Sequence, residues 1–148
     1  MLHREYAPFL PTPESIPKGP VDPPFLEAEA PRGWWEDSAA EIFNAAEQIA
    51  LLLRDASECG LHLTTPFAGF CAFSAGYLCA YVHWFPKMNL ERSTKSEERF
   101  GFCLEYLKKH REVWVVADGW VCKFFSFFFF FFFFTHLIYI AHGWIAVC

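Results

Sequence analysis

The chain is poor in positive charge. Twelve Lys and Arg stand against seventeen Asp and Glu, for a net charge of −5. Neutralising a phosphate backbone takes a concentrated basic face, so direct binding of nucleic acid by this chain is not expected. The densest basic group, "KKHR" (Lys108 to Arg111), sits on an amphipathic helix pattern and reads as a solvated face. The six cysteines (59, 71, 79, 103, 122 and 148) include no Cys-x-x-Cys pair, and no His stands at finger spacing from one. That excludes the usual zinc-site and redox motifs. The start, "MLHREYAPFLPTPES", lacks the apolar core of a secretory signal. The thiols are therefore expected to be reduced, with Cys71, Cys79 and Cys103 serving as small buried hydrophobes.

Catalytic signatures are also missing. There is no Gly-x-Gly-x-x-Gly, P-loop, Gly-x-Ser-x-Gly elbow or His-Glu-x-x-His. Asp118 and His110 fall about two turns apart on one expected helix, too far to form a dyad. Glu97 and Glu98 are neighbours on an exposed first turn rather than a pair across a cleft. His83 has no second His or carboxylate at a ligand interval and reads as a core or boundary histidine. No catalytic, cofactor-binding or metal-ligating residue is assigned, and the chain is not expected to be an enzyme.

What is present is helical patterning behind a proline-rich start. Most of the ten prolines fall in residues 1–33, which read as an extended linker, disordered or wrapped on a surface. A first helix is expected over "SAAEIFNAAEQIALLLRDASECG". Ser38 and Glu41 stand at capping-box spacing, and Gly60 is the C′ stop. Its apolar stripe reads Ile42, Ala45, Ala46, Ile49, Leu52 and Leu53, and Trp34 and Trp35 lie just ahead, placed to fold back on it. Thr65-Pro66 announces a second helix that runs to Phe85 and stops at Pro86. No Lys, Arg, Asp or Glu occurs from Cys59 to Pro86. The richness in Gly, Ala, Ser and Thr favours a central helix buried on all sides over a membrane span. After a polar loop, a third helix is expected from Thr94 or Ser96 through Val121. Phe100, Cys103, Leu104, Leu107, Trp114, Ala117 and Val121 share one side, and "VWVV" continues the helical pattern.

Read together, these stretches resemble the fungal-specific transcription factor domain, the middle homology or regulatory region of fungal binuclear zinc-cluster transcription factors. The resemblance rests on Ala-Ala-x-x-Ile (Ala45 to Ile49), "TPFAGF" (Thr65 to Phe70), Phe85-Pro86, "CLEYLKKHREVW" (Cys103 to Trp114) and Ala117-x-x-Trp120. It covers about residues 34–122. It implies an all-α fold, as a fragment of a helical regulatory domain, in a nuclear regulator of transcription. A protein partner or homodimer contact through the helical region is also implied. The family's two zinc ions sit in a separate six-cysteine DNA-binding cluster. The cysteines here are scattered through the helices, so none is carried over as a ligand and no cofactor is expected in this chain. The domain reading is a Pro-rich linker over 1–33, a partial regulatory domain over 34–121, and a Phe-rich tail over 122–148.

The tail, "VCKFFSFFFFFFFFTHLIYIAHGWIAVC", has no charged residue after Lys123. It supports a rival reading: a small membrane protein anchored by residues 124–147, with 61–85 as a second span. The genetic code supplies another origin. The Phe run can be a single pyrimidine tract, and Cys122-Lys123-Phe124 can be written TGT-AAG-TTT, which contains the 5′ splice signal GTAAGT. Residues from about Cys122 onward are thus expected to be translated intron. Any membrane association would then be a property of that tail alone. Sequencing mature transcript across these codons is expected to show the T-rich tract removed; a spliced message that keeps it sinks the intron origin.

Overall fold

The computed structural model describes residues 14–17, 30–124 and 126. Most of the Pro-rich segment and the tail from residue 127 lie outside the described residues, as does nearly all of the proposed 124–147 anchor. The described residues form helices and turns with no strand, an all-α fold: α1 (Trp34–Glu58), α2 (Pro66–Trp84), a short 3-10 turn (Pro86–Asn89), α3 (Ser96–His110) and a further helix, α4, over residues 116–124.

Helix α1 starts five residues earlier than its capping box suggests. Gly33 is the N-cap, in the left-handed region at φ 80°, and it provides no side-chain cap. Glu36 and Asp37 in the first turn instead meet the positive end of the helix. Trp34 and Trp35 therefore lie inside the helix, packed edge to face at 4.6 Å, and Ser38 is buried one turn in. The C-terminus matches the sequence reading. Gly60, at φ 73°, donates to the Ser57 carbonyl, and Leu61 donates to Ala56. These two bonds are the paired closure of a Schellman motif.

The buried stripe of α1 is Ala39, Phe43, Ala46, Ala50 and Leu53. This lies about one position round from the expected stripe: Leu52 is 67% exposed, Ala45 is exposed, and Ile42 and Ile49 are half-buried. The alanines face the core because α2 lies close along them, while the larger side chains flank the seam.

Helix α2 begins as its sequence says. Thr65 Oγ1 accepts from the Ala68 amide, and Pro66 stands where its missing N–H costs nothing. From Cys71 to Val82 no residue is exposed, as expected of a central helix. Its contact positions are small: Ala68, Gly69, Ala72, Ala75, Gly76, Cys79 and Ala80. No described helix is long and apolar enough to cross a membrane, which corrects the alternative use of 61–85 as a span.

Two apolar clusters set the packing. Phe43 of α1 stacks on Tyr81 of α2 at 6.2 Å, and Ala39, Val82, Phe85 and Met88 complete that end. The larger cluster joins Ala50 and Leu53 of α1, Ala68 to Cys79 of α2, Cys103 to Leu107 of α3, and Val121 and Phe124. Helices α1 and α2 thus run antiparallel. Arg54 of α1 and Arg99 of α3 both approach the Phe102 ring, at 5.5 and 5.8 Å from its centroid, and cover the α1–α3 seam.

The expected long third helix is two helices. Helix α3 ends at His110, whose carbonyl accepts from both Val113 and Trp114 in a tight turn. The β-branched run Val113 to Val116 falls in and just after that turn, where branched side chains no longer crowd a preceding helical turn. The chain then returns as α4, which places Trp120 beside Gly69 and Phe124 beside Gly76. Phe124, the first phenylalanine of the C-terminal run, is buried and touches Phe73 and Phe100 at 5.1 and 5.4 Å between centroids. Of the Pro-rich segment, the described residues 14–17 lie against the 3-10 turn, where Glu14 pairs with Lys87.

A Cβ on Gly76 would stand 2.9 Å from both Cys103 Cβ and Phe124 Cζ, whereas one on Gly101 would meet nothing within 4 Å. Gly76→Ala is expected to destabilise the chain by about 1–3 kcal/mol through overpacking. Gly101→Ala, in the interior of α3, should stabilise it by roughly 0.5–1 kcal/mol. Denaturant titration of the two variants measures both, and equal effects would contradict the close crossing.

Candidate functional site

Polar chemistry inside the fold collects at one end of the bundle, where the 61–65 connection crosses the ends of α2 and α3. Two side chains strap this connection down. The Tyr106 hydroxyl donates to the Leu63 carbonyl, and Trp114 Nε1 donates to the Thr64 carbonyl. Between them lie two histidines. His110 is fully buried, its ring stacked on Tyr106 at 5.7 Å and 6.2 Å from that of His62. His62 in turn packs on Tyr106 at 4.9 Å. Neither ring nitrogen of His110, nor Nε2 of His62, has a hydrogen-bond partner in the described protein.

Gly69 makes room for this arrangement. A Cβ there would stand 2.6 Å from His110 Nε2 and 2.8 Å from Trp120. Burial lowers the pKa of His110, and the neighbouring His62 lowers it further. Burial likewise raises Tyr106, with a smaller contribution from Cys71. The site is therefore a desolvated His110 imidazole beside the ring of His62 and a bonded phenol.

His110 corrects the reading of "KKHR" as a uniformly solvated face. Lys109 and Arg111 are exposed and Lys108 pairs with Glu105, but His110 points inward. The Asp118–His110 spacing on one helix is also overturned, since the two residues now sit on different helices and Asp118 is exposed. Glu97 and Glu98 stand in the exposed first turn of α3, and His83 is an exposed residue at the end of α2 against Trp84. Sequence reasoning missed His62 and Tyr106. The available signal was Tyr106 four residues before His110, on the same helix face, opposite a helix with glycine at its first turn.

Around the strap, the surface is apolar. Leu61, Leu63, Phe67, Phe70, Val113, Val115 and Val116 are all exposed, with Phe67 at 74% and Val115 at 81%. At the other end, Glu41, Asn44, Glu47, Asn89 and Arg92 line a shallow polar depression of about 280 Å³.

Among the described residues, no three His, Cys, Asp or Glu side chains are grouped to hold a metal ion. The thiols differ by environment. Cys79 and Cys103 are buried in the larger cluster, and desolvation pushes Cys79 up to about 12 and Cys103 higher still. Cys71 is half-buried and raised by the same cause. Cys59 and Cys122 are exposed.

Comparison with known proteins agrees with the helical pattern. The Zn(2)-C6 fungal-type transcription factor FTF1c of Fusarium oxysporum f. sp. lycopersici is 32% identical over 83 residues, 55% of this chain and 8% of that protein. FTF1a of the same organism is 46% identical over 39 residues, 26% of this chain and 4% of that protein. FTF2 is 29% identical over 83 residues, 55% of this chain and 7% of that protein. The chain is homologous to part of the fungal Zn(2)-C6 transcription factors. It spans less than a tenth of the length of these curated relatives. No family model matches the chain, and no solved structure matches it.

The zinc cluster that names these relatives does not fit the described residues. Its thiolates would have to converge, but Cys79 and Cys103 are sealed in an apolar core that favours the neutral thiol, and the exposed Cys59 and Cys122 join no ligand group.

Thiol labelling reads these environments directly. At pH 8 in native buffer, peptide mapping is expected to find Cys59 and Cys122 alkylated first, Cys71 more slowly, and Cys79 and Cys103 only after denaturant is added. Early labelling of Cys103 would contradict the close α2–α3 crossing.

Proposed function

We propose that this chain is a piece of the helical regulatory region of a fungal transcription factor, acting in the nucleus in the control of transcription. The observation that carries this reading is the 32% identity to FTF1c over 83 residues. It is supported by the all-α fold, in which glycine, alanine and cysteine bring α2 against its neighbours.

On this reading the chain works through protein contact. Its net charge of −5 suits neither the DNA backbone nor a groove. Among the described residues the buried His110 imidazole is paired with no nucleophile or carboxylate, which suits a structural and regulatory role. DNA binding and its zinc belong to another part of the longer protein.

A reporter measurement tests this. The full chain is fused to an unrelated DNA-binding module directed to a reporter promoter. The expected result is a change of several-fold in output relative to the module alone, in either direction, with the fusion recovered from nuclei. Unchanged output from a well-expressed nuclear fusion sinks the regulatory reading.

A further inference from the structure

The regulatory reading leaves the buried His110 and the half-buried His62 without a role, and it does not explain why a connection of five residues is bonded by two aromatic side chains, Tyr106 and Trp114. We propose that His62, Tyr106 and His110 form an acid-sensitive latch that holds the 61–65 strap against the end of α3 and releases it when an imidazole takes up a proton.

The geometry carries this inference. His110 sits where four parts of the chain meet. Tyr106 of its own helix lies against one face, His62 of the strap faces its edge, and Gly69 of α2 and Trp120 of α4 close around Nε2. Every space beside the ring is filled by protein, yet neither nitrogen has a protein hydrogen-bond partner. A neutral imidazole tolerates this with a modest penalty. A cation must be solvated or paired, and neither is available without opening the cluster.

Among the described residues no carboxylate offsets a charge there. Glu105 of α3 is turned to Lys108, and Asp55 and Glu58 of α1 are turned to Arg54. Glu112 in the following turn and Asp118 of α4 are exposed. The strap presents His62, which lowers the pKa of His110 further, and α2 presents Cys71 as a titratable neighbour, acting on Tyr106. The C-terminal end of α3 favours a cation and the N-terminal end of α2 opposes it. Desolvation decides between them, and it lowers the pKa of His110 from its ordinary 6.5.

The sign follows from linkage. The unfolded chain binds a proton at His110 near pH 6.5, and the folded chain binds it only at lower pH. The contribution to stability is thus fully present above that value and is lost as pH falls toward the folded pKa. The first structure to yield is the strap, because it is a short surface connection held by two side-chain hydrogen bonds. Its release frees the Leu63 and Thr64 carbonyls from Tyr106 and Trp114 and loosens the apolar surface formed by Leu61, Leu63 and Phe67.

The test is amide hydrogen exchange on the full chain at pH 7.5 and 5.5, corrected for intrinsic rates. Protection of residues 61–66 and 111–117 is expected to fall at least tenfold at the lower pH, while residues 72–82 of α2 keep theirs. In the double variant His62→Phe/His110→Phe, both of whose rings remain apolar, the pH dependence of the strap should disappear. Strap protection that ignores pH in the wild type, or that falls equally in the double variant, overturns the latch. If the double variant fails to fold, the imidazole titrations of the wild type decide by NMR. A His110 midpoint below 6.5 that coincides with shifts in the amides of residues 61–66 supports it. A midpoint at or above 6.5, or titration with the strap amides unmoved, overturns it.

Discussion

At its buried positions from Ala68 to Ala80 helix α2 offers its neighbours almost no bulk, and much of the structure follows from that constraint. Glycine at 69 and 76, alanine at 72 and 75 and cysteine at 79 leave shallow ground on which other helices settle close to the backbone. The larger groups are then supplied from outside: Leu53 from α1, Leu107 and His110 from α3, and Trp120 and Phe124 from α4. Dispersion between well-packed atoms grows steeply as gaps close, so a helix of small residues stabilises its surroundings by proximity rather than by its own side-chain area. The same constraint explains why α2 looked compatible with a membrane in its lack of charge and yet is the centre of a bundle. Small-residue faces suit close helix packing in either solvent, and here three other helices supply the apolar surroundings.

Much of this was legible in the chain. Thr65-Pro66 and Gly60 mark real helix ends, because both act through local backbone geometry that needs no tertiary context. The burial of α2 followed from the lack of charge over a helical length. What could not be read was anything decided by a partner helix. The stripe on α1 came out rotated because periodicity identifies a hydrophobic side but weights Leu52 above Ala50, whereas a close crossing selects the smaller residue. Ser38 has the right spacing for a cap but lies inside the helix, since a left-handed Gly33 one turn earlier already marks the change of direction. The break after His110 was hidden because "VWVV" fits a helical register as well as a turn, and the return of α4 is fixed by where Trp120 and Phe124 find glycines.

The buried His110 illustrates the same limit at the site. A basic tetrapeptide at the end of a helix reads as solvated, and three of its members make outward or paired contacts. The fourth turns inward because the first turn of α2 has a glycine where any other residue would collide with it. The small-residue helix and the imidazole cluster are thus connected. A fold built on close crossings leaves little slack, and the few polar groups inside it cannot change state without moving what lies on top of them.

The connection between α2 and α3 carries a further consequence. Leu90 and Glu91 both adopt positive φ, at 50° and 60°, although neither is glycine. Consecutive residues in that region are strained by an amount on the order of 1 kcal/mol each. The chain accepts this because Met88 is sealed in the core immediately before them, and the Asn89 side chain donates to Ser93 Oγ just after. The turn therefore behaves as a ruler rather than a tether. Its anchored first half fixes where the chain leaves α2, and variation in length belongs to the exposed stretch beyond Glu91. A lineage that drifts in this segment can lengthen the approach to α3 freely, but it cannot shift Met88 by one position without turning the two strained residues, and the helix that follows them, in a new direction.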